Sequence, residues 1–403
     1  MSARDVPTLS AALPSGARAL VVHRPEVRND SVALAVPAGM RHERDGEEGM
    51  LHLIEHLVYQ DSEGVAGLVR QTRVAESGGV LGGHTHLDYS EFFETGSPGS
   101  AAVIAERLVE QVFRPAFRPE QIAEQIRAVA SERAARLAPA PGGVLPWPHL
   151  TARYWADAPN AHDGSGDLDL EGRATEPVLR ALHRRHYRPA GSVLVGVTAD
   201  DPARLLDRLV AALAETPDRA AGPVAVPPGT ARPEYRAEPA ARRLAATAAA
   251  PSTRVSDELL GDLIAAEALA AQAGLDASAG LFGPGDTVAD DLFVLVDDTA
   301  VPVDPWHRLR ALAVSDDSAL EHARHRAVLR AERLVHDDER LARTVARDAL
   351  LRGAPGFAGE LVDSLAARPP RPLLADAAAR LAEQPFAALG VPAASTRPGR
   401  RSP

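Results

Sequence analysis

The sequence predicts an α+β protein built as two tandem units, and three observations carry that prediction. Its 403 residues are about twice the usual single-domain length, so two units of roughly 200 residues are expected. Short alternating stretches that read as strands are separated by longer ones with apolar residues at helical spacing. The order of elements in the second half partly echoes the first, which points to an internal duplication. The units are read as residues 1–216 and 241–393, joined by a linker at 217–240 and followed by a disordered tail at 394–403.

Taken in order, Ala19 to Val36 reads as two strands around a polar turn, and Gly49 to Tyr59 (GMLHLIEHLVY) as a helix. A helix over Leu68 to Ser77 ends at Gly78-Gly79, and HTHLDYSEFFET (residues 84–95) alternates as one strand. Ala101 to Phe113 is an amphipathic helix. Pro119 opens a long one, proline being well placed in a first turn whose N–H groups have no helical partner. A loop rich in Pro and Gly follows at 138–148. Helices at Glu176 to Tyr187 and Pro202 to Leu213 flank a buried strand at Ser192 to Val197. Pro, Gly and Ala then crowd the stretch to Ala240 without sustained periodicity, hence the linker. The second unit holds a helix near Ser256 to Gly274 and a strand near Leu292 to Val296. A long Arg-rich helical region from Asp317 to Leu351 and a helix around Leu373 to Glu383 complete it.

Hydrophobic residues make up 45% and charged residues 25%, which allows a sizeable core and argues against wholesale disorder. The formal charge of −11 gives no general attraction for nucleic acid or anionic lipid, so neither is an expected partner. Cysteine is absent, which removes disulfides, thiolate metal sites and a Cys nucleophile; any metal must sit on His, Asp or Glu. No leader-like N-terminus and no continuous apolar run of membrane-spanning length is present, so a cytoplasmic protein is expected. All 44 basic residues other than histidine are arginine, a compositional bias that carries no mechanism.

The sharpest chemical signal is His52-Leu53-Ile54-Glu55-His56. Positions i and i+4 share a helical face, so both imidazoles can reach one ion, while Glu55 projects to nearly the same side and could contact a metal-bound water. A catalytic zinc usually takes three protein ligands and leaves a fourth position open. Glu132, in the helix opened by Pro119, is the candidate for the third, although alone it reads more simply as a solvated glutamate beside an arginine. His84 and His86 stand two apart on a strand and could also bind metal, with polar strand residues as the simpler reading. His183 with His186, and His322 with His325, lie among arginines and read as solvated helix faces. Arg326, Arg330 and Arg333 share one face that could meet an acidic partner or peptide, or form a charge-laced exposed helix. The GPGD and GSGD segments are turn signals without phosphate-loop spacing.

With these residues in view the chain resembles the M16 metallopeptidases, the pitrilysin and mitochondrial processing peptidase group, especially the shorter M16B branch. The resemblance rests on ALPSGARALVV as an opening strand and on AGMRHERDGEEGMLHLIEH, with its Gly, Arg, Glu and Gly before the pentad. It extends through GGVLGGHTHLDYSEFF and RALHRRHYRPAGSVLVGVTADDPARLL, and more weakly through RAVLRAERLVHDDERLARTVARDAL. It implies two M16-like domains, each a mostly antiparallel sheet with helices packed on it. It also implies Zn2+ on His52, His56 and Glu132, with Glu55 as the general base. The strand carrying Gly82, Gly83, His84 and Thr85 is implied to take an extended peptide as an added strand.

The departures are informative. Gln125 stands where the family commonly has an acidic residue beside the ligands, and Gly82 and Gly83 replace Asn and Ala. Ser90 and Phe92 replace Thr and Tyr conservatively. The region LDASAGLFGPGDTVADDLF lacks the Arg and Tyr that active single-chain members reach across to the substrate carbonyl, and the last tyrosine of the chain is Tyr235. The resemblance therefore implies the zinc-bearing half of a heterodimeric endopeptidase acting on unstructured peptides, leader-segment removal being one candidate task. The alternatives are a peptide-binding or scaffold subunit that cleaves little, and a peptidase that needs no partner.

Overall fold

The fold is that of a computed structural model, which describes residues 8–64, 66–137, 149–162, 164, 170–215, 229–233, 235–236, 242–297, 306–314 and 317–391. The expected loop at 138–148 and the tail at 394–403 lie outside these residues, as does most of 217–240.

The first half contains strands β1 (Thr8–Ala12), β2 (Arg18–His23), β3 (Asp30–Val36), β4 (Leu81–Thr85), β5 (Ser90–Gly96) and β6 (Val193–Thr198). Its helices are α1 (Met50–Val58), α2 (Gly67–Glu76), α3 (Ala101–Phe113), α4 (Pro119–Leu137), α5 (His149–Tyr154), α6 (Ala158–Ala161), α7 (Glu176–His186) and α8 (Pro202–Ala214). The second half contains β7 (Tyr235–Arg236), β8 (Arg242–Ala248), β9 (Leu275–Ala279), β10 (Leu292–Asp297) and β11 (Ala387–Val391). Its helices are α9 (Asp257–Ala270), α10 (His307–Ala313), α11 (Asp317–Glu332), α12 (Asp338–Arg352), α13 (Phe357–Ala367) and α14 (Pro370–Glu383).

The chain is α+β, and its strands form two mostly antiparallel sheets. The first has the order β1-β2-β6-β3-β5-β4, with only β2 and β6 parallel; the second has the order β7-β11-β8-β10-β9, with only β7 and β11 parallel. Dropping β1 makes the two orders correspond strand for strand, which is the duplicated topology the sequence suggested. In that correspondence α1, between β3 and β4, matches α9, between β8 and β9, and α9 carries no histidine.

Each sheet buries one face under its own helices. Leu51, Ile54, Ile104, Leu108 and Leu209 cover β2, β3 and β5 in the first half, and Leu260, Ile264, Leu361 and Leu374 cover the second sheet. The opposite faces are covered reciprocally. Leu341, Val345 and Ala349 of α12 pack on Val22, Ala33 and Val195 of the first sheet, while Leu150 and Tyr154 of α5 pack on Leu244 and Val294 of the second. Each such buried leucine or valine contributes about 1.5–3 kcal/mol, so the exchange fastens the halves together.

Three details differ from the sequence reading. Residues 84–95 form two strands, β4 and β5, because the chain turns at Leu87-Asp88-Tyr89; Leu87 and Tyr89 are buried like strand residues, so the alternation runs unbroken through the turn. The helical region at 317–351 is split where the Asp337 side chain accepts from the Arg340 N–H at 2.8 Å and starts α12. The stretch 217–240 holds β7, and Ala231 bridges to Trp155.

Candidate metal centre

The centre is built on α1. Gly49 precedes it with φ of +86°, a left-handed conformation that glycine adopts at no steric cost. Glu43 reaches forward to satisfy the helix start, accepting from the Gly49 N–H at 3.0 Å and the Leu51 N–H at 2.6 Å. Burial pushes the Glu43 carboxyl well above its usual range, against the pull of those two N–H groups. On one side of α1, Leu51, Ile54, Leu57 and Val58 enter the core, which leaves His52, Glu55 and His56 toward the open side.

Helix α4 packs against α1 and brings Glu132 to the two histidines. Glu132 Oε2 lies 3.2 Å from His56 Nε2 and 3.7 Å from His52 Nε2, and one donor atom from each of the three residues lies within 4.8 Å of the others. The imidazole rings meet edge to face, 4.9 Å apart. Two imidazoles and one carboxylate converging without a thiolate are a donor set that fits a divalent cation such as zinc. Burial lowers the pKa of His56, but Glu132 and Glu55 more than offset it and hold the imidazole above its ordinary value. The same negative charge draws a cation. His56 Nδ1 meets Gln125 Oε1 at 3.2 Å, so an amide stands where the resemblance expected a carboxylate.

Glu55 is oriented from the sheet: Thr85 Oγ1 donates to Glu55 Oε2 at 2.7 Å, and Ser90 Oγ, which donates to the Ala38 carbonyl, lies 3.4 Å from Thr85 Oγ1. Strand β4 pairs only with β5 and forms the sheet edge among the described residues, lying beside α1. Its two glycines are places where backbone and rings come close. A Cβ on Gly82 would sit 2.6 Å from Phe93 Cζ, and one on Gly83 would sit 3.0 Å from the Tyr59 ring and hydroxyl. Tyr59 donates its hydroxyl to the Gly82 carbonyl, so Tyr59 occupies the space that larger residues on β4 would fill.

Of the residues singled out from sequence, the structure brings together His52, Glu55, His56, Glu132, Gln125 and Thr85. It places His84 elsewhere. His84, His86 and Glu91 form a second cluster of metal-ligand type on the opposite face of β4 and β5. Arg343 enters that cluster, donating to Glu91 Oε1 at 2.5 and 2.9 Å and lying 3.1 Å from His84 Nδ1, so a guanidinium supplies its positive charge. Burial raises the Glu91 pKa, but His84, His86 and Arg343 more than offset it and hold the carboxyl well below its usual range.

The histidines of α7 require a correction. His183 and His186 are not on a solvated face: both are buried, His183 bonding the Val112 carbonyl at 2.8 Å and stacking on Tyr187, and His186 accepting from Arg185. His322 and His325 are exposed as expected. Arg326 and Arg330 meet an acidic group within the chain, both pairing with Glu267 of α9.

Two residues of the Gly, Arg, Glu and Gly pattern had no assigned task from sequence. One is Glu43, the cap of α1. The other is Arg41, 3% exposed, which bridges the halves by donating to Asp88 of the β4–β5 turn, to Thr287 and to the Asp290 carbonyl. No helix among the described residues is long and apolar enough to cross a membrane.

Residues 18–141 match the family described as insulinase (peptidase family M16). The chain is 28% identical over 191 residues to coenzyme PQQ synthesis protein F of Klebsiella pneumoniae, covering 45% of this chain and 24% of that protein. It is 23% identical over 193 residues to an uncharacterized zinc protease of Mycobacterium leprae, covering 48% of this chain and 43% of that protein. It thus spans less than half the length of these curated relatives. A crystal structure of a protease from Helicobacter pylori shares the fold, with a TM-score of 0.77 and 14% identity over 95% of this chain and 98% of that one. Over residues 18–141 the chain is thus similar to the M16 family of peptidases, and these relatives share that likeness over about half of the chain.

Proposed function

We propose that this chain is the zinc-bearing subunit of an M16-type endopeptidase that cleaves extended or unstructured peptides. The observation that carries the reading is the convergence of His52, His56 and Glu132 within 4.8 Å, with Glu55 on the same helix turned by Thr85. His52, His56 and Glu132 would hold the ion, which when bound supplies Lewis acidity toward the scissile carbonyl and lowers the pKa of water. Glu55 takes the proton of the attacking water and returns it to the leaving amine. Thr85 holds the Glu55 carboxylate through its hydroxyl. The free edge of β4 pairs with the peptide backbone through main-chain groups.

The segment Leu275–Phe293 contains neither Arg nor Tyr, which favours a second M16-like subunit that supplies contacts to the substrate carbonyl. Leader removal from a ribosomally made peptide is one concrete form of this activity, consistent with two relatives named for coenzyme PQQ synthesis. The amide at Gln125 and the missing Arg and Tyr also support a second reading, a peptide-binding subunit that does not cleave.

Mass-spectrometric mapping of products from an unstructured peptide mixture separates the two. The chain is assayed alone and with its co-purifying M16-like partner, with Glu55→Gln as the blank. Cleavage with the partner that Glu55→Gln abolishes supports the split peptidase. Glu55-dependent cleavage by the chain alone removes the need for a partner, and none in either arm supports the binding reading.

A further inference from the structure

A cavity of about 460 Å3 lies at the seam of the two halves, on the face of the first sheet opposite the metal centre. The turn and strand at His86, Tyr89 and Glu91 form one wall, and α9, β9, α11 and α12 form the others. Its apolar surface comes from Leu263, Ala279, Leu281, Phe282 and Leu334. Its polar surface is dominated by Arg330, Arg333, Arg340, Arg343 and Arg347 against only three carboxylates, Glu91, Glu267 and Asp286.

Those three carboxylates are already matched. Glu91 takes Arg343 at 2.5 Å, Asp286 takes Arg347 at 3.0 Å, and Glu267 takes Arg330 at 2.6 Å. Arg340 pairs outward with Asp337 at 3.3 Å. Arg333 is exposed, and its guanidinium has no ion-pair or hydrogen-bond partner among the described residues. His86 is 8% exposed and lines the cavity; its Nε2 is 3.4 Å from Glu91 Oε1, and its Nδ1 has no hydrogen-bond partner among the described residues. A buried imidazole nitrogen left without a partner carries a desolvation cost that a polar ligand relieves. With Arg340 on Asp337, Arg343 also on Glu339 and Arg347 also on Asp348, Arg333 is the one lining guanidinium left without a carboxylate among the described residues, beside an apolar floor.

We infer that this cavity binds a monocarboxylate on an apolar body, with Arg333 holding the carboxylate and His86 giving a second polar contact. The planar guanidinium matches a carboxylate in two-pronged fashion, and the apolar wall takes the hydrocarbon part. A single negative charge suits the site better than a phosphate dianion, which would face Glu91, Glu267 and Asp286 together. A free fatty-acid-like molecule and the C-terminus of an apolar peptide share this chemistry. The inference does not depend on the peptidase reading.

The test is isothermal titration calorimetry on the full chain carrying Glu55→Gln, so that no peptide is turned over. The probes are octanoate, N-acetyl-Ala-Ala-Leu with a free carboxylate, and its C-terminal amide. Binding of at least one carboxylate probe is expected, with the amide at least about tenfold weaker than the peptide acid where the acid binds. Arg333→Gln, a change on the surface, weakens the carboxylate about tenfold. Octanoate alone binding identifies a free acid as the source; peptide acid alone identifies a chain terminus. The inference is overturned if neither carboxylate binds at millimolar concentration, if the peptide acid and amide bind equally, or if Arg333→Gln binds as the parent does. It is also overturned if binding survives Arg333→Gln but is lost in His52→Ala, which would put the carboxylate on the α1 histidines.

Discussion

Thr85 Oγ1 donates a 2.7 Å hydrogen bond to Glu55 Oε2, joining the edge strand that would hold a peptide to the carboxylate that would activate water. Thr85 is paired with Ser90 across the β4–β5 hairpin, so the orientation of Glu55 depends on the register of that hairpin. Thr85→Val keeps the shape and removes the donor. The expected result is a fall in kcat of about 10–100-fold with little change in KM, read by steady-state cleavage of a fluorogenic peptide.

Gln125→Glu places a carboxylate against His56 Nδ1. A charged acceptor there fixes the ring and raises its basicity, so metal affinity should rise by about tenfold or more, measured by competition with a chromophoric chelator.

Glu43→Ala removes the acceptor for two backbone N–H groups at the start of α1. Stability should fall by about 2–4 kcal/mol in urea unfolding, because both donors are buried. Glu43→Gln retains one carbonyl acceptor and should lose less.

His186 carries a pH dependence. Burial beside Arg185, His42, Arg188 and Arg44 lowers its pKa to about 3, whereas the unfolded chain protonates near 6.5. Below pH 6.5 the unfolded state therefore binds the proton first, and stability falls as pH drops from about 6.5 toward 3. His186→Gln should flatten that limb by up to roughly 1 kcal/mol per pH unit, read from melting temperatures between pH 7 and 4.

The α1 pentad was legible because it is local: five consecutive residues at helical spacing fix which side chains share a face. The α+β class and the duplicated order were legible from periodicity, which tertiary contact did not override over α1, α3 and α4. What escaped lies between residues far apart in sequence. Arg41 meets Thr287 across 246 positions, and Glu43 serves a helix start six and eight residues ahead. The burial of His183 and His186 was missed because flanking arginines suggest solvent, whereas the Val112 carbonyl and Tyr187 receive His183 from outside its own helix. The β4–β5 turn was missed because Leu87 and Tyr89 continue the alternation of the strands beside it. The role of Gly82 and Gly83 was half legible: the departure was visible, but Tyr59 and Phe93, which make it necessary, were not.

The central claim is that α1 and α4 together assemble one metal site. Inductively coupled plasma mass spectrometry on the pure chain, equilibrated with zinc and freed of excess, tests it most directly. The account predicts close to one zinc per chain for the parent and Glu55→Gln, and loss of that zinc in Glu132→Gln and His56→Ala at matched folding. Zinc absent from the parent, or held equally well by Glu132→Gln, would contradict it.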